Sequence, residues 1–587
     1  MKNHSLPLSK PLLLFLIVMT TTSLFAQEIL WEKSYGGKHA EYLYDVIPTP
    51  DYGFLLAGSS LSKKTGNKLQ DNRGDLDYWI WKMDEKGAPD WQKSFGSSGQ
   101  DKLRCVVLTG DGGFLLAGTS SPAASSNALP KAKQSTTKPE PDGDKKDIGR
   151  GDADFWIIKL NASGGEEWQK TIGGSGQDEL NGVVGLRDGS FILAGSSSSE
   201  PSGDKTTAAF GGMDYWVVKL DAKGSILWQR SYGGIYNDEL RSIAPTQDGG
   251  FIIGGSSNSP ASLNAPKGGG QKGNKTEPCM GQNDYWVIKL DRDGNAQWQK
   301  TLGGKGDDQL AVVKQIANGN YILAGNSNSE SGGTKTKANE DGTDFWLVAL
   351  DGEQKVVWQE VYNIGKVDIL TSLLENEDHT LLLGGYAQGE SRPARKGGVK
   401  GMATALKGAK TPKEQPLVKG TGDYVALKIN NKGEELWRKS VGSDNLDILK
   451  KVIETRDGGY LMAGTSQSTP TSKEAVKSSG DKTSGFGSTD FWVVKLKDKQ
   501  KPKEEKLPVE AIPNPAVDYT NVIVGYDFKK GTATLADIAG HILQQFEITE
   551  RTVPINLQSY PEGIYIVNIK TDVQDSGVKI IKTLKTN

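Results

Sequence analysis

Carboxylates recur along the chain in two series. The first is Asp77, Asp154, Asp214, Asp284, Asp344, Asp423 and Asp490, each followed by an aromatic residue. The second is Glu41, Asp101, Asp178, Asp238, Asp308, Asp368 and Asp447. Paired carboxylates can hydrolyse glycosides or hold calcium. Catalysis, however, needs one acid to differ from its neighbours. Seven equivalent acids are expected to accept backbone N–H bonds in tight connections. No cofactor or metal is expected, with calcium as the one alternative. Turns such as Asp291-Arg292-Asp293-Gly294 lack the remaining positions and closing glutamate of an EF-hand, and read as hairpin turns.

Other chemistries are poorly served. Among the four histidines, His39, His379 and His541 sit in no nucleophile–base motif, and His4 falls in a segment expected to be removed. Two cysteines, Cys105 and Cys279, cannot alone make a tetrahedral zinc site or a disulfide framework. A net charge of −2 gives no basic surplus for nucleic acid. No phosphate-binding loop occurs; 268–275 is merely glycine-rich. Arg73-Gly74-Asp75 and Arg150-Gly151-Asp152 resemble the integrin-binding triplet. Their glycines, though, stand three residues before a landmark aspartate, where Gly211, Gly281, Gly420 and Gly487 also stand, so the glycine belongs to the repeat.

The acids are positioned by that repeat. A lone tryptophan follows each landmark aspartate from Asp77 to Asp423 after 14 positions, and an Ala-Gly or Gly-Gly pair closes the block at residue 42. Between blocks lie spacers of 18, 35, 18, 28, 18, 37 and 25 residues. A fixed block with elastic spacers is a rigid unit with one tolerant loop. Glycine is 73 of 587 residues, which points to many turns and short strands. In the block from Asp214, strands are expected at 215–220, 226–232, 240–246 and 251–255, as in a propeller blade. In Trp216, Val218 and Leu220 one strand face is wholly apolar, so the tryptophans are read as core where blades pack.

The chain is expected to be all-β: a seven-bladed β-propeller over 27–496. It opens with a tryptophan strand around Trp31 and closes with an Asp-aromatic-Trp strand at 490–496. Each end carries what the other lacks, so the first strand is expected to complete the last blade and leave no open edge. The spacers, rich in Ser, Thr, Lys, Gly and Pro, are expected to be mobile loops on the face that carries the second acidic series. Candidate binding residues there are Asp101, Asp178, Asp238, Asp308, Asp368 and Asp447. Arg392, Arg395 and Lys396 join them in the 386–422 segment, whose net charge of +6 could meet an anionic glycan or an acidic protein. The sixth unit diverges: Val425 replaces tryptophan, and Glu377-Asp378-His379-Thr380 replaces the glycine turn. His379 falls on the opposite face, which reads as decay.

Residues 1–26, with Lys2, Lys10 and an apolar run too short to span a bilayer, read as a secretory signal peptide. No transmembrane segment is expected in the mature protein. Residues 497–508 form a charged linker. From 509 to 587 the landmarks vanish, and alternating apolar stretches read as a small β-sandwich. Four motifs stand in order here: Ile512-Pro513-Asn514-Pro515, Asp537-Ile538-Ala539-Gly540, Glu562-Gly563-Ile564-Tyr565 and Lys579-Ile580-Ile581-Lys582. This region resembles the type A C-terminal sorting domain of the type IX secretion system. The resemblance implies export across the outer membrane, contact with the secretion machinery, and removal by a sortase-like peptidase. The 42-residue blocks resemble propeller repeats of other secreted bacterial proteins, which informs fold alone. The function expected is non-catalytic binding of protein or glycan on the loop face, with no nucleic-acid partner. The alternatives are an extracellular hydrolase or lyase using the loop-face acids, and a purely structural surface component.

Overall fold

The computed structural model describes residues 27–123, 142–262, 273–389, 421–467, 480–498 and 507–583. The expected signal peptide and most of the linker lie outside the described residues, as do Arg392, Arg395 and Lys396.

The described chain is all-β, without an α-helix. Between Glu28 and Lys497 it forms seven four-stranded antiparallel sheets of the kind that make propeller blades. The sheet of Asp178–Gly185, Phe191–Ser197, Asp214–Leu220 and Ile226–Tyr232 is representative, with its strands hydrogen-bonded in chain order. The four strands expected in the block from Asp214 all occur to within two residues at their start and end, two in this sheet and two, Asp238–Pro245 and Phe251–Ser257, in the next. The Asp178–Gly185 strand type carries a bulge in every sheet, here between Leu180 and Gly182, which adds local twist.

The Asp-aromatic-Trp landmark explains how sheets stack. Successive residues of a strand point to opposite faces. Tyr215 therefore faces the following sheet while Trp216 faces the preceding one. Phe155 lies on Trp216 with ring centroids 4.9 Å apart, and Tyr215 lies on Trp286 at 4.7 Å. Tyr78–Trp156, Tyr285–Trp346 and Tyr424–Trp492 repeat the contact at 4.7–4.8 Å. Each of these tryptophans is fully buried. One such ring removes ~150–250 Å² from water, a gross gain of roughly 4–6 kcal/mol as an upper bound.

The closing glycine of the block is fixed by the same stack. A Cβ on Gly195 would fall 2.1 Å from the Glu179 carbonyl oxygen and 2.7 Å from the Phe155 ring. At the other end of five of the sheets, a buried lysine of the landmark strand grips the acid of the turn between the two strands before it. Lys159–Asp111, Lys289–Asp248 and Lys428–Asp378 are 2.8, 2.8 and 3.1 Å apart. Where Ala349 replaces the lysine, the turn carries Asn318 instead of the acid.

The ends of the repeat region meet in one sheet. Glu28–Tyr35 pairs antiparallel with Thr489–Lys497, beside Tyr460–Gln467 and Asp447–Glu454. In five sheets the landmark indole N–H donates to a glutamine, as Trp216 does to Gln229 at 3.2 Å. Trp492 donates to Glu32 of the first strand at 2.7 Å. Phe491 lies on Trp79 at 4.7 Å. The sixth unit lacks both partners, since Val425 replaces tryptophan and Arg438 replaces glutamine, yet it forms its sheet around Leu383 and Leu427.

Residues 507–583 form two sheets on one core. Val509–Ile512, Tyr519–Val524 and Thr552–Asn556 make one; Ile542–Ile548, Gly531–Asp537, Gly563–Thr571 and Asp575–Lys582 make the other. Val522, Ile555, Leu535 and Val567 meet between them.

Gly195→Ala is expected to cost about 1–3 kcal/mol through overpacking, read as a lower urea midpoint. Gly110→Ala, where a Cβ meets nothing within 4 Å, should leave the midpoint unchanged. Equal midpoints for both would contradict the stacking constraint.

Candidate ligand-binding face

The long spacers leave the sheets at one end, and both acid series stand there. Within a sheet the acids flank one serine: Asp178 pairs with Ser197, which pairs with Asp214. In the sixth sheet Ala387 holds the serine's place between Asp368 and Asp423.

All fourteen acids are buried. Those of the second series accept a backbone N–H four residues upstream. The Gly174 and Gly234 amides donate to Asp178 and Asp238 at 2.6 and 2.7 Å, and the Ile364 amide to Asp368 at 2.7 Å. Ser97, Gly304 and Ser443 amides serve Asp101, Asp308 and Asp447 likewise. In the first series the Phe210 amide donates to Asp214 at 2.6 Å and the Arg150 amide to Asp154 at 2.7 Å. The expectation that these acids tie down connections holds. The candidate binding residues Asp101, Asp178, Asp238, Asp308, Asp368 and Asp447 stand at the loop end, buried beneath their own loops.

The closure comes from a motif the sequence reading passed over. Gly66-Asn67-Lys68, Gly143-Asp144-Lys145, Gly203-Asp204-Lys205, Gly273-Asn274-Lys275 and Gly333-Thr334-Lys335 each place lysine nine residues before a landmark aspartate; Gly480-Asp481-Lys482 is eight before Asp490. The signal was a constant offset inside a segment of variable length. All six lysines are buried. Gly203 adopts φ +57°, and a Cβ there would lie 2.6 Å from the Gly173 carbonyl oxygen. The middle residue takes the amide of the glycine after the preceding sheet strand, as Gly36 donates to Asn67 at 2.8 Å and Gly233 to Asn274 at 3.0 Å. The lysine ammonium then lands among buried oxygens: Lys145 donates to Ser120 Oγ, and Lys482 lies 3.5 Å from Asp490. From the Gly-x-Lys onward each of these six spacers is therefore anchored, and the length variation falls before it.

Burial sets the electrostatics. Loss of solvation pushes Glu41, Asp77, Asp214 and Asp368 up to about 7, and Asp238, Asp344 and Asp447 up to about 6. The same burial pushes Lys68 down to about 8.

The arginines of the two Arg-Gly-Asp triplets bind within the frame. Arg73 meets Asp144 at 3.2 Å and Arg150 meets Asp204 at 3.1 Å, each acid being the middle residue of a Gly-x-Lys. The two cysteines are free and the described residues hold no metal-type cluster of His, Cys, Asp or Glu. His379 takes the left-handed conformation (φ 60°) in its turn, as does Tyr52 (φ 68°) in the first repeat, where the other five repeats carry glycine.

In the tail the four motifs lock the sandwich. Asn514, between Pro513 and Pro515, donates to the Lys579 carbonyl at 2.7 Å and accepts the Ile581 amide at 2.9 Å. Asp537 accepts the His541 amide across the turn at Gly540. Tyr565, two residues after Gly563, donates to the Pro561 carbonyl at 2.6 Å. Lys582 reaches the Tyr560 carbonyl at 2.5 Å.

Residues 510–583 match the family of secretion system C-terminal sorting domains. The tail is a type IX sorting domain, and the chain is exported across the outer membrane to the cell surface or extracellular space. Among the described residues no helix is long and apolar enough to cross a membrane. The regulatory protein FlaEY of Caulobacter vibrioides is 22% identical over 228 residues, which is 38% of this chain and 23% of that protein. The chain thus spans about a quarter of that relative's length. Among solved structures, a Synechocystis apocarotenoid oxygenase mutant is 11% identical at TM-score 0.35, covering 73% of this chain and 88% of that one. PorZ of Porphyromonas gingivalis, an essential surface component of the type IX system, is 10% identical at TM-score 0.21, covering 92% and 81%. The Neurospora crassa Pan2 WD40 domain is 9% identical at TM-score 0.26, covering 61% and 89%.

The raised carboxylates give a direction for stability against pH. Their ordinary range is 3.8–4.5, so folding favours their protonated forms. That contribution is complete below about pH 4 and is lost as pH rises through about 7. The melting temperature is expected to fall between about pH 5 and pH 8, and Asp214→Asn should make that fall shallower. A melting temperature that climbs over this interval would contradict the burial of these acids.

Proposed function

We propose that residues 27–496 form a closed seven-bladed propeller that acts outside the cell as a non-catalytic binding module. In this reading residues 1–26 direct entry to the periplasm and 509–587 direct passage across the outer membrane. A sortase-like peptidase then cuts in the 497–508 linker. Three contacts support closure: the pairing of Glu28–Tyr35 with Thr489–Lys497, the Trp492–Glu32 hydrogen bond, and the Phe491–Trp79 stack that joins last sheet to first.

One observation carries the binding reading. Acids that could do chemistry are consumed in holding the loop bases, while spacers of 18 to 37 residues leave the same end of one rigid frame. A fixed scaffold with variable connections is how folds present recognition surfaces. The 386–422 segment, with its net +6, gives that end a preference for anions.

Two measurements test this. A chain lacking residues 27–36 is expected to melt at least about 5 °C lower, because a whole strand of one sheet is lost; an unchanged melting temperature would overturn closure. Replacing Arg392, Arg395 and Lys396 with serine is expected to weaken binding to an anionic polysaccharide. Unchanged binding would remove this segment from the interface, and turnover of the polysaccharide would overturn the non-catalytic reading.

A further inference from the structure

The inward strand of each sheet, the type of Asp178–Gly185, presents alternate side chains away from the sheet-to-sheet core. On the first sheet these are Tyr42 and Tyr44, on the second Lys102 and Arg104, and on the last Ile448 and Lys450. Tyr44, Arg104 and Lys450 occupy the same place in the repeat, each three residues after its second-series acid. They therefore stand at one level of the fold.

At that level two cations share one aromatic ring. The Arg104 guanidinium lies 4.6 Å from the centroid of Tyr44, and the Lys450 ammonium lies 5.7 Å from it. Neither makes a carboxylate ion pair among the described residues, unlike Arg241 two sheets on, which Glu239 holds at 2.6 Å. Burial and the neighbouring Arg104 both lower the pKa of Lys450, and no acid offsets them. Beside Lys450 is a cavity of about 220 Å³ between the first and last sheets, lined by Tyr42, Leu446 and Ile448. Tyr42 is 37% exposed there. The site thus joins an uncompensated positive charge to an aromatic and aliphatic wall, in a space the size of one sugar ring.

We infer that this cavity binds a single pyranose carrying one anionic group, a carboxylate or a sulfate, at the end or along the length of an extracellular glycan. The anion would meet Lys450, which lines the cavity, with Arg104 adding positive potential from beside the same Tyr44 ring, and the apolar face of the sugar would lie on Tyr42. This rests on the binding reading above and gives it a ligand class and a position at the loop end between the first and last sheets, separate from the 386–422 segment.

The test uses the full exported chain and isothermal titration with four probes: a hexuronate disaccharide, a sulfated disaccharide, the neutral disaccharide and inorganic sulfate. Binding of one or both charged sugars, but not of the neutral sugar or free sulfate, is expected. Lys450→Met and Tyr42→Ala should each weaken it about tenfold or more, while Lys450→Arg retains it. Melting temperatures of the variants check that they fold. The Arg392, Arg395 and Lys396 triple variant serves as reference. Loss there with full retention in Lys450→Met would overturn this site and leave loop-face binding standing. Free sulfate binding as tightly as the sugars would overturn the saccharide assignment. Absence of binding to every probe would overturn the site, and the polysaccharide measurement above separately decides the wider reading.

Discussion

The structure depends on one repeated contact: an aromatic ring of one sheet packed, tilted, against the tryptophan of the next. It sets the distance between sheets, and it decides what can stand on either side. The strand behind the ring must carry glycine, because the Phe155 ring occupies the place of a Gly195 side chain. The tryptophan must find an acceptor for its N–H, and Gln229 supplies it to Trp216. Asp, aromatic, tryptophan, glutamine and glycine are therefore one mechanical unit spread over 42 residues. The sixth unit illustrates the linkage by its loss, since Val425 and Arg438 depart together.

Above this apolar stack sits a polar layer built with equal regularity. Two acids and a serine from the strand ends, and a lysine from the returning loop, are buried at the base of most spacers. Burying carboxylates is costly unless their oxygens are hydrogen-bonded. The backbone amides of the connections meet that need for one oxygen and in doing so fix the connections, while the second oxygen of Asp178, Asp214 and Asp238 is buried without a hydrogen bond among the described residues. Recognition is thereby moved away from the residues that look most chemical. It is left to the loop tips and to the inward faces of the strands, where repeats differ.

The fold was largely legible because its determinants repeat. The period-two pattern of Trp216, Val218 and Leu220, the Asp-Gly turns, and the complementary strands of the first and last repeats all carry their meaning locally. The acids were legible as a structural series for the same reason. The Gly-x-Lys loops were not read, because the elastic spacers hid a constant offset from the next aspartate. The pairing of Tyr44 with Arg104 and Lys450 was beyond the sequence altogether. Tyr44 and Lys450 lie some 400 residues apart, and only the meeting of first and last sheets brings them together. The turn lysines are an intermediate case: Asp111 with Lys159, against Asn318 with Ala349, is a covariation visible within the single chain.

Amide hydrogen exchange across Glu28–Tyr35 and Thr489–Lys497 tests closure most directly. If the first strand completes the last sheet, the amides of both strands that point into their shared ladder should be protected to similar degree, and as strongly as those of Asp214–Leu220 and Ile226–Tyr232. Rapid exchange in Glu28–Tyr35, beside protection in every other sheet, would contradict a closed ring.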